Sequence, residues 1–316
     1  MAVFSLVDSG LRDVDVMLSD VLRRDNLLMA EVSDHLLKAS GKRLRPALVL
    51  LSGTFGGFPS ERLTRVATAV ELIHMATLVH DDIIDDASMR RGVASARQRF
   101  GDPVAVLAGD FLFAKAFQLF ASVNDPRVVH EAAQVVGIMC SGEIQQQLDH
   151  GRVASEAEYY SRIEAKTARF IESSCRLGAM AAGLALDEEE LLARFGHEIG
   201  MAFQVVDDIL DWSADPESLG KSVGEDIGQG VYTLPLIHAL EQADWSDELR
   251  VYLADPKNPP VAQIRELLSQ SGAIHYAETV ASSYVESAKA SLEALPAGPT
   301  RSSLEALAEF IVVRDH

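Results

Sequence analysis

Two nine-residue stretches carry the same pattern of acids in an apolar setting. "LVHDDIIDD" (residues 78–86) contains Asp81, Asp82 and Asp85, and "FQVVDDILD" (residues 203–211) contains Asp207, Asp208 and Asp211. With 24 aspartates in 316 residues, chance gives on the order of 0.1 Asp-Asp-x-x-Asp patterns per chain, so the pair is not an accident of composition. Carboxylates beside Ile, Val and Leu are costly to desolvate unless they face water or something positive. On a helix, Asp81 and Asp85, like Asp207 and Asp211, project from one face roughly 5 to 6 Å apart. Opposed faces of this kind make an all-oxygen site, suited to a hard ion such as Mg²⁺, which takes few carboxylates and completes its shell with water and phosphate oxygens. One acidic run alone reads as a solvated helix end; the repeat reverses that reading.

The cations support it. "GKRLRP" (residues 41–46) brings Lys42 and Arg45, "MRRG" (residues 89–92) places Arg90 and Arg91 directly after the first acidic run, and Lys166 and Lys221 lie further on. Arg and Lys converging on carboxylate-held metal suit diphosphates, Arg by bidentate contact. Other chemistries fail on spacing. "LGKS" (residues 219–222) imitates the end of a phosphate loop, but Asp215 stands where its first glycine belongs and no strand precedes it. His74 and His80 are six apart and no His-Glu-x-x-His occurs, so zinc is not indicated. Taken alone, His74 in "ELIH" reads as a satisfied core histidine.

The elements that must position these residues are helices. Apolar residues recur at three- and four-residue spacing almost throughout, and no convincing period-two strand is present. The fold class is therefore all-α. Helices are predicted over about 8–38, 46–55, 61–87, 103–122, 126–149, 156–184, 187–213, 233–243, 260–270, 273–294 and 301–313, with loops of interest at 39–45, 88–95 and 214–232. Ser60 is the expected N-cap of the helix bearing the first acidic run, Ser155 with Glu158 forms a capping box, and Asp-Pro at 102 and 125 marks two further starts.

At 48% hydrophobic residues the chain can bury a large core, and no Pro/Gly/Ser-rich linker divides it, so residues 1–316 read as one domain. A net charge of −19 argues against nucleic acid and anionic lipid as partners, while clustered cations favour small anions. No apolar run approaches the roughly 20 residues of a membrane span, and neither signal peptide nor anchor is seen. Cys140 and Cys175 have no metal-ligand spacing, which fits a reducing cytoplasmic setting.

"GKRLRP", "ELIHMATLVHDDIIDDASMRRG", "GDFLFAKAFQLF", "KTARFIE", "GMAFQVVDDILDW" and "LGKSVGEDIGQGVYTLPLIHAL", in this order over about residues 35–245, resemble the landmarks of the trans-isoprenyl diphosphate synthases, or polyprenyl synthetases, of long-chain type. The resemblance implies the isoprenoid synthase fold, a single domain of mostly antiparallel helices around a deep central cavity, working as a homodimer. It implies head-to-tail condensation of an allylic diphosphate with isopentenyl diphosphate, three Mg²⁺ per active site with substrate bound, and a membrane-soluble product from a chain with no stable membrane anchor.

Residue by residue, it places metal on Asp81, Asp85, Asp207 and Asp211, with Asp82 and Asp208 in support. It places the allylic site on Arg90, Lys166, Thr167, Gln204 and Lys221. The isopentenyl diphosphate site falls on Lys42, Arg45, His74 and Arg91, which replaces the core reading of His74. Metal and cations neutralise charge on the departing diphosphate, and an apolar enclosure shields the resulting carbocation from water. One departure stands out: Val231 occupies the position of a customary lysine ahead of "LP". A class I terpene cyclase is the nearest rival, but its second metal motif is of a different type and it needs no isopentenyl site. A non-catalytic subunit generally lacks the aspartates. For product length, Ala76 and Thr77, five and four positions before Asp81, are expected about one turn from the metals on the same side. Their small side chains imply an open tunnel and a product of C30 to C50, with the C20 geranylgeranyl diphosphate as the alternative.

Overall fold

In the computed structural model, which describes residues 2–23, 27–38, 41–57, 60–90, 92–149, 151–213, 225–228, 230–254 and 259–313, the segment read as one helix over 8–38 is two. These are α1 (Asp8–Arg23) and α2 (Leu27–Lys38). Arg23 Nη2 donates to Asp34 Oδ1 at 3.1 Å, whereas a straight helix would hold two residues eleven apart at roughly 16 Å; α1 and α2 pack against each other. Helix α3 (Leu44–Gly53) is buried at every residue from Pro46 onward, which is why it reads as an unbroken apolar run. Helix α4 (Glu61–Ile84) starts at the expected cap, with Ser60 Oγ accepting from Leu63 N at 3.1 Å.

The loop after α4 folds into a hairpin that the sequence pattern did not reveal. Its strands β1 (Met89–Arg90) and β2 (Val93–Ala94) pair antiparallel, Arg90 opposite Val93. Two residues per strand are too few to show alternation. Gly92 takes φ 80°, as a tight hairpin turn requires. The short α5 (Ala96–Phe100) leads into α6 (Asp102–Ala121), with Pro103 in its first turn, and then α7 (Pro126–Leu148). Asp125 Oδ1 caps α7 by accepting from Arg127 N at 3.1 Å.

The helix expected over 156–184 is interrupted. Its start, α8 (Glu156–Ile163), has the full capping box of Ser155 and Glu158; a π-helical turn follows at Glu164–Ala168, and α9 (Arg169–Ala182) resumes the regular ladder. Then come α10 (Leu186–Ser213), α11 (Glu225–Gly228), α12 (Leu234–Glu241), α13 (Ala243–Tyr252), α14 (Val261–Gln270), α15 (Ala273–Leu292) and α16 (Pro299–Val313). Helix α13 was unforeseen because Leu249 is its one buried residue, so no apolar stripe announces it.

The chain forms two compact units, each made of three segments: Met1–Gln134, Ser173–Ala193 and Leu295–Leu304 in the first, Val135–Glu172, Arg194–Ala294 and Glu305–His316 in the second. In the first, α4 packs against α1, α3 and α6. A Cβ at Gly178 would lie 2.2 Å from the Val49 carbonyl oxygen, so glycine sets that close crossing, while the space beside Gly109 is taken by the His80 imidazole. In the second, α12 packs against α8 and α15, and Trp212 is fully buried with its Nε1 donating to Thr233. Among the described residues one helix, α6, is long and apolar enough to cross a membrane by length and composition. Asp102, Asp110 and Lys115 interrupt its apolar run, which is why the sequence does not read as a span there.

Candidate active site

In the first unit the chemistry is strung along α4. His74, Thr77, Asp81 and Asp85 follow one another at three- and four-residue steps, so they share one stripe of the helix. Asp81 is half-buried, and Asp85 is exposed at the C-cap, its N–H donating to Asp81 O at 2.8 Å. Asp82, next in sequence to Asp81, turns about 100° away and is only 3% exposed. It is met there by Arg90, whose Nε and Nη2 both donate to Asp82 Oδ1, at 2.7 and 2.6 Å. The hairpin that carries Arg90 is tied down by Ser95, which donates to Ala87 O at 2.7 Å.

The cation loop is anchored by a residue that the sequence reading passed over. Arg43 takes φ 55° at the N-cap of α3. Its guanidinium turns inward, Nη1 to Glu71 Oε1 at 2.5 Å and Nε to Asp15 Oδ1 at 3.0 Å. On either side Lys42 is exposed and Arg45 half-buried, and Arg45 Nη1 lies 3.4 Å from His74 Nε2. Glu71 is 2% exposed; a buried charge in an apolar helix demands a partner, and that demand was the available signal. Gly41, Glu71, His74, Asp82 and Arg90 all border one open pocket of about 450 Å³. Thr77 is half-buried, whereas Ala76 has no accessible surface. Five positions carry Ala76 about 140° round the helix from Asp81, which puts it on a different side from the one expected.

In the second unit the π-helical turn is the centre of the arrangement. Such turns insert one residue into a helix and are frequent at functional sites. Two glycines let other helices close on it: a Cβ at Gly142 of α7 would be 2.8 Å from Ala165 Cβ, and one at Gly200 of α10 would be 2.6 Å from Ala168 Cα. Lys166 is thereby paired with Glu143 at 3.0 Å and reaches Gln146 at 3.4 Å. Thr167 Oγ1 donates to Gln204 Oε1 at 2.8 Å, Gln204 Nε2 donates to Asp208 Oδ1 at 2.8 Å, and Tyr159 Oη donates to Asp208 Oδ2 at 2.7 Å. Burial first, then the Asp208 charge, push the Tyr159 hydroxyl well above the ordinary tyrosine pKa, so it remains a donor. Asp208 is 5% exposed, Asp207 is exposed and Asp211 half-buried.

Glu143, Gln146 and Tyr159 escaped the sequence reading, since none lies in an acidic or basic run. Arg91 and Lys221 lie outside the described residues. Val231 is half-buried just before α12 and brings no charge. Among the described residues no three His, Cys, Asp or Glu side chains form a ready metal cage. The donor set of carboxylates one turn apart at each helix end still fits Mg²⁺, which takes few protein ligands and draws the rest from water and phosphate.

Residues 26–270 match the family model described as polyprenyl synthetase. The chain is 38% identical over 303 residues to heptaprenyl diphosphate synthase component 2 of Bacillus subtilis, covering 95% of this chain and 87% of that one. It is 40% identical over 296 residues to the short chain isoprenyl diphosphate synthase of Methanothermobacter thermautotrophicus, covering 91% of each. The crystal structure of a polyprenyl synthase from Caulobacter crescentus, complexed with calcium and isoprenyl diphosphate, superposes with a TM-score of 0.92 at 33% identity, over 99% of this chain and 97% of that one.

Proposed function

The chain belongs to the polyprenyl synthetase family and is a prenyltransferase of all-α isoprenoid synthase fold; we propose that it extends an allylic diphosphate with isopentenyl diphosphate, head to tail and in repeated cycles, to an all-trans polyprenyl diphosphate of C30 to C50. The observation that carries this reading is the stripe on α4. His74, joined by Arg45, and Asp81 stand seven residues or roughly 10 Å apart on one helix face, a spacing that suits two diphosphates held with their reacting carbons between them.

Lys42, Arg45, His74 and Arg91 bind isopentenyl diphosphate in this reading, and Arg90, Lys166 and Lys221 bind the allylic partner. Asp81, Asp85, Asp207 and Asp211 would hold Mg²⁺, three ions with substrate bound, which supplies charge neutralisation for the departing diphosphate. Thr167 and Gln204 offer oxygen lone pairs to the allylic carbon as positive charge develops, in a site organised before the reaction starts. Apolar side chains exclude the water that would capture the cation. The proton lost on condensation goes to the released diphosphate, so no side-chain base is required. Asp81→Ala and Asp207→Ala should each abolish turnover while leaving helicity intact. Retention of more than about a tenth of wild-type activity at saturating Mg²⁺, roughly 1.4 kcal/mol of barrier or less, would refute the metal assignment.

Product length rests on the absence of a bulky side chain at Thr77, Ala76 being buried on another side of the helix, and a heptaprenyl synthase component among the relatives supports it. The M. thermautotrophicus relative, a short chain synthase by name, supports the C20 alternative; product mass from farnesyl and isopentenyl diphosphates decides between them. A homodimer is supported by α6, which buries Ala105, Ala108, Gly109, Leu112, Ala116 and Phe120 but leaves Val106 and Leu107 exposed. Sedimentation of the wild type and of Leu107→Glu tests it, with a monomeric wild type as the contrary outcome.

A further inference from the structure

We propose that Tyr159 and Asp208 are positioning residues that fix the polarity of the Gln204 amide, and that Asp208, although part of the second aspartate motif, acts by holding Gln204 and not by holding metal. This rests on the reading that Thr167 and Gln204 face the allylic carbon.

The geometry allows one direction of donation. An ionised carboxylate only accepts hydrogen bonds, so the group that meets Asp208 Oδ1 at 2.8 Å must be the NH₂ end of Gln204. The carbonyl end of Gln204 then points to Thr167, whose hydroxyl is the only donor of that pair, at 2.8 Å. The Thr167 proton is thereby committed to Gln204, and the remaining lone pairs of Thr167 Oγ1 and Gln204 Oε1 are what the pair presents elsewhere. An amide is nearly symmetric in shape, so without Asp208 its two ends could exchange. Exchange would place an NH₂ where a developing carbocation needs oxygen, turning a favourable dipole into a repulsive one.

Tyr159 completes the chain. It is fully buried, and its hydroxyl occupies Asp208 Oδ2 at 2.7 Å. One oxygen of Asp208 accepts from Gln204 and the other from Tyr159, both protein donors, whereas Asp207 beside it is exposed. Gly200 and the π-helical turn bring Thr167 within reach of Gln204, so the polarity set at Tyr159 passes through four side chains without a charged group at its outer end.

The experiment uses the full chain carrying Tyr159→Phe, Asp208→Asn or Asp207→Asn. Steady-state kinetics with both substrates are combined with calorimetric binding of a non-ionisable thio-analogue of the allylic diphosphate in the presence of Mg²⁺, and with thermal melts. Tyr159→Phe keeps the ring and removes only the donor. It should lower kcat roughly tenfold or more, with the KM for isopentenyl diphosphate and the Mg²⁺-dependent analogue affinity within about twofold of wild type. Asp208→Asn should do the same, whereas Asp207→Asn should lose Mg²⁺-dependent analogue binding. A wild-type kcat in folded Tyr159→Phe overturns the proposal. So does Asp208→Asn losing analogue binding as Asp207→Asn does. Should Asp208→Asn fail to fold, Tyr159→Phe decides alone. If the wild type bound the analogue but formed no prenyl product, the proposed function itself would fall, a different outcome from normal turnover in the variants.

Discussion

Gly200→Ala should disable the site without unfolding the protein, and the size of the effect follows from one crossing. The added Cβ would stand 2.6 Å from Ala168 Cα, 3.0 Å from Ala168 Cβ and 3.2 Å from Ala168 O. Carbon atoms settle at about 3.5 to 4.0 Å, so α10 must withdraw from the π-helical turn by roughly 1 Å. The neighbours are backbone and an alanine Cβ, and no rotamer change can relieve them. Gln204 lies one turn beyond Gly200 and moves with it, which stretches the 2.8 Å contact from Thr167 to about 3.8 Å, too long for a hydrogen bond. Overpacking costs typically 1 to 3 kcal/mol, and alanine returns about 1 kcal/mol of helix propensity, so the net stability loss should be about 2 kcal/mol or less. A displacement of about 1 Å at reacting groups costs on the order of a hundredfold in rate. The assay is kcat with both substrates saturating, alongside a thermal melt, with Gly137→Ala as control because its Cβ would meet nothing within 4 Å. A folded Gly200→Ala enzyme within about threefold of wild-type kcat would show that the close crossing does not set the site.

Glu71→Gln removes the buried carboxylate from the Arg43 pair and leaves the half-buried guanidinium with Asp15; it should cost roughly 3 kcal/mol by denaturant midpoint while raising the KM for isopentenyl diphosphate through the adjoining Lys42 and Arg45; a loss below about 1 kcal/mol would contradict the anchoring role. Thr77→Phe should shorten the product, read by mass spectrometry, and an unchanged product distribution from an active enzyme would remove Thr77 from the path of the growing chain. The Glu158 carboxyl is held down to about 2 from 4.5, first by the Arg152 hydrogen bond and then by Ser155 N–H and hydroxyl. Because its folded pKa is depressed, its stabilisation of the α8 start is present above 4.5 and fades as pH falls toward 2. An NMR titration of Glu158 should show that low midpoint and an upward shift in Arg152→Ala.

What the sequence discloses depends on whether a residue's role is local. The Ser60 cap and the Ser155–Glu158 box are legible because both partners lie within one turn, and the structure has both. The acidic motifs are legible because four-residue spacing on a helix has a fixed geometric meaning. Glu143 and Tyr159 were not, since they gain their roles from Lys166 and Asp208, 23 and 49 residues away, and only packing brings them together. The π-helical turn is hidden for another reason. One inserted residue shifts the apolar stripe by about 100°, and in a helix buried on most sides such a shift leaves no visible break. Arg43 shows the limit of charge counting: counted as one of the three cations of "GKRLRP", it has its guanidinium engaged by the carboxylates of Glu71 and Asp15.

The doubled aspartate itself has a geometric explanation. Adjacent residues on a helix stand about 100° apart, so an Asp-Asp pair at a helix end cannot aim both carboxylates the same way. In α4 the second member, Asp82, is 3% exposed and receives two donors from Arg90; in α10 the second member, Asp208, is 5% exposed and receives Gln204 and Tyr159. The first members, Asp81 and Asp207, are the more accessible ones, and each has its motif partner, Asp85 or Asp211, four residues on. The same division of labour arises separately in two units of the chain. It resolves the cost of setting acids among Ile, Val and Leu: the inward carboxylate is met by protein donors, and those donors are the residues that flank the outward carboxylates. Ligand and support are thus encoded in consecutive positions, and the support is a different group in each unit, a guanidinium beside Asp81 and an amide with a phenol beside Asp207.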